Sequence, residues 1–222
     1  ALYSKHTYNP EKDLTPVTRM GRFPMILVVC PNSDVKDAKD FVAKAKAAPG
    51  KISFGSAGAG SPHHLAMELL KVQGGLHMVH IPYRGAAPAL GDLAGGQSPS
   101  MRGELAAGAG FIKSGKVRAV AVANDKRLPQ LPDVPTFGEL GFKGVEAAAL
   151  VGLVAPAGVP ADVVSALQKQ VKAAIDQPAV KQKLIEFGVE PVGSTPAEYG
   201  ALLKSEVTRW HKLIKDLKIT LD

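Results

Sequence analysis

Two rhythms of apolar and polar positions alternate along the middle of the chain. Short runs rich in strand formers, Met25 to Cys30, Lys51 to Gly55, Leu76 to Pro82 and Val117 to Ala123, read as strands. Between them Val35 to Ala48, Pro62 to Val72 and Ala87 to Ala94 carry helical spacing. Asp34 is the predicted cap of the first helix and Pro49-Gly50 its stop. Strand followed by helix, repeated, predicts an α/β fold with mostly parallel pairing. The rhythm blurs over Ser98 to Gly110, which is rich in Gly, Ala and Ser and poor in strand formers. A helix is predicted to run from there into Phe111 to Lys113.

From Asn124 to Lys143 the texture becomes loop-like, with Pro129, Pro132, Pro135, Gly138 and Gly141 as punctuation, and reads as a connection between units. A strand is predicted over Ala148 to Val154 and a helix from Pro160-Ala161-Asp162. Thr195-Pro196-Ala197-Glu198 opens another helix, with a capping hydroxyl, proline at the first helical position and glutamate at the third. Its apolar face, Tyr199, Leu202, Leu203, Trp210, Leu213 and Ile214, is predicted to be core. The expected organisation is one lobe over 24–123, with 1–23 and 124–222 forming the other.

Composition narrows the function classes. With 45% hydrophobic and 21% charged residues, the 222-residue chain has the makings of a packed core. No run approaches the roughly 18 apolar residues of a membrane span, so no direct membrane insertion is expected. The formal charge of +7 favours anionic partners. Lysines are spread along helical faces rather than set in a stripe with aromatics, which argues against nucleic acid. The one cysteine, Cys30, lies in an apolar run and reads as a small buried hydrophobe. Neither a metal nor a cofactor is implied: His63 and His64 are adjacent and diverge on a helix.

The chemically informative stretch is Gly55-Ser56-Ala57-Gly58-Ala59-Gly60-Ser61-Pro62, between a strand and a helix. Glycines free the backbone to turn, while Ser61 as cap and Pro62 at the first helical position set where the helix begins. Main-chain N–H groups of Ser56 to Ser61, the two serine hydroxyls and the helix dipole would suit a carboxylate or phosphate. Nucleotide-loop and nucleophile-elbow patterns fail on spacing: no lysine follows the glycine loop before Lys71, His63 stands where a dinucleotide loop needs a small residue, and Phe54 where an elbow needs glycine. A second cluster, His80-Ile81-Pro82-Tyr83-Arg84-Gly85, closes the next strand. It would bring Tyr83 and Arg84 to the strand ends where open α/β folds bind ligands.

At these clusters the chain resembles the receptor proteins of tripartite tricarboxylate transporters, the Bug or TctC type of periplasmic solute-binding protein. The resemblance runs through Tyr8 to Pro16, Gly55-Ser56 to His64-Leu65, and His80 to Gly85 with Gly95-Gly96-Gln97. It continues through Gly115 to Ala119, Pro132 to Thr136, Gly152 with Pro156-Ala157-Gly158, and Gly193 to Pro196. It implies a two-lobed α/β clamp with hinge-crossing strands and a small carboxylate held at Ser56, Ala57, Gly58, Ala59, Gly60, Ser61, His64, Tyr83, Arg84 and Gly85. It further implies no catalysis, periplasmic residence and membrane transporter subunits as partners.

Three departures from the family stand out. The family's preceding segment, with its export signal and a Pro-Gly-Gly anion loop, lies outside the sequence, so the first lobe is expected to be N-terminally truncated. Ser98 to Gly103 replaces an acidic, strand-like stretch, and Leu150 stands near where an aromatic is usual. Two alternatives stay open on the residues alone: a fragment that no longer binds, and a small-molecule hydrolase with Ser56 as nucleophile and His64 as base.

Overall fold

The structure, a computed structural model, describes Leu2 and residues 7–221. The chain divides into two compact units, Pro24–Ala149 and a second built from Ala1–Phe23 with Leu150–Asp222.

In the unit Pro24–Ala149 the sheet is organised around the second half of β1 (Leu14–Val29), where six consecutive residues from Pro24 are buried. A strand covered on both faces has no polar face to keep, hence the unbroken apolar run. Beside it lie β4 (Ser100–Glu104) and β5 (Arg118–Ala123), both antiparallel to β1. β2 (Ser53–Ser56) pairs parallel with β3 (Val79–Pro82) and with β4, giving the order β3-β2-β4-β1-β5. The helices α1 (Ala38–Ala47), α2 (Pro62–Gly74), α3 (Ala86–Ala94) and α4 (Leu105–Lys113) fill the connections. The parallel strands β2, β3 and β4 therefore each deliver a helix N-terminus to the same end of the sheet. Ile26, Val28, Leu90, Leu93, Met101, Leu105 and Val122 close the core.

Several elements differ from the sequence expectation. Asp37, not Asp34, caps α1 by accepting from Asp40 N–H at 2.9 Å, while Asp34 pairs with Lys44 at 2.5 Å. Most of β4 lies in Ser98 to Gly103, a strand inside the sheet despite its composition, because β2 and β1 supply ladder partners on both sides. Arg102 is fully buried there; its guanidinium donates to Ala66 O at 2.5 Å and to Val145 O, over the Phe137 ring. The boundary expected at Ala123 falls at Ala149. The proline-rich segment folds back onto β5: Val122 N–H donates to Pro135 O and Phe137 N–H to Val122 O, each at 2.9 Å. Phe137 and Val145 are buried as a result.

In the second unit the first half of β1 pairs antiparallel with β7 (Glu190–Pro191) at Gly21 and Arg22. With it are β6 (Ala148–Pro156), α5 (Ala161–Asp176), α6 (Pro178–Glu186) and α7 (Pro196–Asp216), and a small core of Val17, Ala155 and Val164. Thr195 and Glu198 form the predicted reciprocal cap of α7. Trp210 is only half-buried: its indole N–H donates to Glu206 at 2.7 Å and Arg209 lies over its ring. Cys30, too, is half-buried at the edge of the first core.

Candidate functional site

The carboxyl ends of β2 and β3 are tied into one structure. Tyr83 N–H donates to Ser56 O at 3.0 Å and Gly85 N–H to Ala57 O at 3.2 Å, extending the parallel pairing past both strands. Gly58 sits at φ +136° and Gly60 at φ +70°, conformations that L side chains rarely adopt. Ser61 then caps α2, accepting from His64 N–H at 3.3 Å.

Within this loop most donors face inward, contrary to the expectation of one set aimed at a ligand. Ala57 N–H donates to His63 Nδ1 at 3.3 Å, Gly58 N–H to Ser56 Oγ at 3.1 Å, Gly60 N–H to His64 Nδ1 at 3.0 Å and Ser61 N–H to Gly58 O at 3.2 Å. The short loop turns back on itself, so its own acceptors and the adjoining imidazoles reach these amides before solvent does. Ala59 is the exposed apex, and its N–H has no partner among the described residues.

Ser56 and His64, both expected to touch ligand, are buried behind that apex. Ser56 Oγ gives its proton to Gly58 O at 3.0 Å and lies 2.7 Å from His80 Nε2. The His80 ring is sandwiched between Phe54, with centroids 4.9 Å apart, and His64, at 3.8 Å and 6° from parallel. Burial lowers the His80 pKa to about 4, with Lys71 adding to the effect and Glu68 opposing it. His80 is therefore neutral at pH 7. Burial works against ionisation of Glu68, yet its contacts with His64 and Lys71 hold its carboxyl below the usual range. Glu104 behaves alike: burial opposes, and the hydrogen bond from His63 prevails. The serine is thus a structural hydroxyl, and the histidine against it is His80, not His64.

Arg84 is exposed, with no ion-pair or hydrogen-bond partner among the described residues. Gly85 precedes α3 without a side-chain cap, leaving that helix N-terminus open beside Arg84. Tyr83 is turned away: its hydroxyl donates to Asp92 at 2.9 Å, and burial followed by the Asp92 contact raises its pKa. The polar surface of this edge is Ala59 N–H, the first turn of α3 and Arg84. His63, Glu104 and Asp92 were missed from the sequence, because the partners that give them meaning lie 41 and 9 residues away. Among the described residues no group of His, Cys, Asp or Glu could hold a metal, and no helix is long and apolar enough to cross a membrane.

Known proteins resemble this chain in sequence and in fold. The family model of the tripartite tricarboxylate transporter family receptor matches residues 1–219. A UPF0065 protein from the tcbD-tcbE intergenic region of Pseudomonas sp. strain P51 is 36% identical over 98% of the chain. The chain spans 65% of that relative's length. The solved structure of Rhodopseudomonas palustris Rpa4515 with adipate superposes with a TM-score of 0.87 at 34% identity, covering 96% of this chain and 72% of that one. MatC of the same organism, with bound malate, gives 0.83 at 30% identity, covering 96% and 74%. The α/β fold is accordingly that of periplasmic binding proteins of the Bug and TctC type.

Proposed function

The chain belongs to the tripartite tricarboxylate transporter receptor family, and on that premise we propose that it is an extracytoplasmic binding protein. It captures a small carboxylate and presents it to the membrane subunits of a transporter. The observation that carries the reading is the polar edge at the ends of β2 and β3. There the Ala59 N–H, the uncapped start of α3 and Arg84, unpaired among the described residues, lie on two cross-tied loops. Helix N-termini and backbone amides stabilise an anion without needing a dedicated counter-charge, and a guanidinium adds a two-pronged donor for a carboxylate. Adipate and malate, the acids bound in two similar proteins, are both dicarboxylates. A hydrolase reading loses its support, since the Ser56 hydroxyl is buried and spent on the loop.

A thermal-shift panel of mono-, di- and tricarboxylates tests this. A ligand at about 100 times its Kd adds roughly 2.7 kcal/mol to the folded state, a shift of several degrees. A C4 to C6 dicarboxylate is expected to give that shift, and Arg84→Ala to reduce affinity about tenfold or more, with Lys116→Ala unchanged. No shift with any acid, or equal affinity in both variants, defeats the proposal.

A further inference from the structure

Glycines at positions 58 and 60 permit the tight loop but do not select it, because a residue without a side chain adopts many backbone conformations at similar cost. Some other contact must choose the one in which Ala59 N–H stands clear. Two side chains from the first turn of α2 are placed to do so. Consecutive helical residues diverge by about 100°, so His63 and His64 reach back to opposite legs of the loop. His63 Nδ1 meets Ala57 N–H at 3.3 Å, and His64 Nδ1 meets Gly60 N–H at 3.0 Å.

We propose that His63 and His64 are positioning residues of the ligand loop: each, in its Nε2–H form, accepts a loop amide on Nδ1 and thereby directs Ala59 N–H toward the anion. This rests on the reading that the loop serves a carboxylate. A ring nitrogen that accepts a hydrogen bond carries no proton, so the proton of each neutral ring is on Nε2. A carboxylate waits there in both cases. His63 Nε2 contacts Glu104, and His64 Nε2 lies 3.6 Å from Glu68. The groups facing the pair are Glu104 at the end of β4, Glu68 and Lys71 from α2, and His80 of β3, which stacks on His64. The carboxylates orient the rings as second partners orient metal-bound imidazoles. A proton on Nδ1 of either ring would face the amide N–H and leave that leg of the loop unheld.

Side-chain shape separates this role from packing. In His64→Asn the amide oxygen takes the place of Nδ1 and can still accept from Gly60, whereas in His64→Gln the polar group reaches toward Nε2 instead. Packing alone would favour Gln, which is nearer histidine in length. The expected results are Nε2–H forms for both rings in nitrogen-15 spectra of the ligand-free protein, and faster Gly60 amide exchange in His64→Gln. Calorimetry with the best dicarboxylate should show affinity within about threefold of wild type for His64→Asn and about tenfold weaker for His64→Gln. The His63 pair should repeat the order at the Ala57 amide. An Nδ1–H form in the wild type, or Asn no better than Gln, overturns the proposal. The wild-type spectra decide even where a variant fails to fold. If no acid binds at all, the reading of the site fails, while the ring forms and amide exchange still decide whether the histidines hold the loop.

Discussion

Ser56 Oγ lies 2.7 Å from His80 Nε2, joining the last residue of β2 to its parallel neighbour β3 just before the loops at their carboxyl ends. His80 is wedged between Phe54 and His64, where burial favours its neutral form.

Acid should therefore loosen this unit before most carboxylates titrate. Burial lowers the His80 pKa from 6.5 to about 4. Between those values the unfolded chain binds the proton and the folded one does not, so stability falls as pH drops through that window. Glu68 and Glu104, whose pKa values are lowered, lose their contributions at lower pH still, as the folded carboxyls protonate. Allowing for partial exposure of the ring, the loss from His80 is about 1–2 kcal/mol between pH 6.5 and 4. Urea unfolding across that range measures it. The same slope in His80→Asn would remove His80 as its source.

Arg102 should be a structural residue whose loss is felt in the segment after β5. Its guanidinium donates to Ala66 O and Val145 O from inside the sheet. Ala66 O lies within α2 and Val145 O in the segment leading to β6, so the second carbonyl has more to lose. Arg102→Met keeps the bulk and removes the donors, at a cost of about 2–3 kcal/mol. Limited proteolysis should then cut between residues 124 and 147. Unchanged urea stability with an unchanged digestion pattern would refute this role.

Gly152 in β6 is required by a neighbour rather than by its own backbone. A Cβ there would fall within the Tyr199 phenol, whose side chain is buried. Gly152→Ala is expected to cost about 1–3 kcal/mol through forced displacement of that ring. Gly152→Ala with Tyr199→Leu should be less destabilised than the two single changes summed. Strict additivity in chemical unfolding would show that the two positions do not meet.

Local chemistry was legible in the sequence. The Ser61-Pro62 start of α2 and the Thr195 to Glu198 cap of α7 each depend on residues within four positions, and their hydrogen bonds form as the residue types require. The strand and helix alternation, together with the motifs at Ser56 to His64 and His80 to Gly85, was enough to identify the α/β fold and the family.

Tertiary structure decided what depends on distant partners. Ser100 to Glu104 lacks a strand pattern and becomes one only because β1 and β2 flank it, with the Arg102 charge met by carbonyls 36 and 43 residues away. The direction of the loop amides is equally invisible locally. Glycine leaves many conformations open, and the His63 and His64 rings that choose among them are themselves oriented by Glu104, 41 residues from His63, and by His80 across the sheet. A pattern within a few residues specifies where a turn or cap must form. Which way its donors point is settled by groups that folding alone brings within reach.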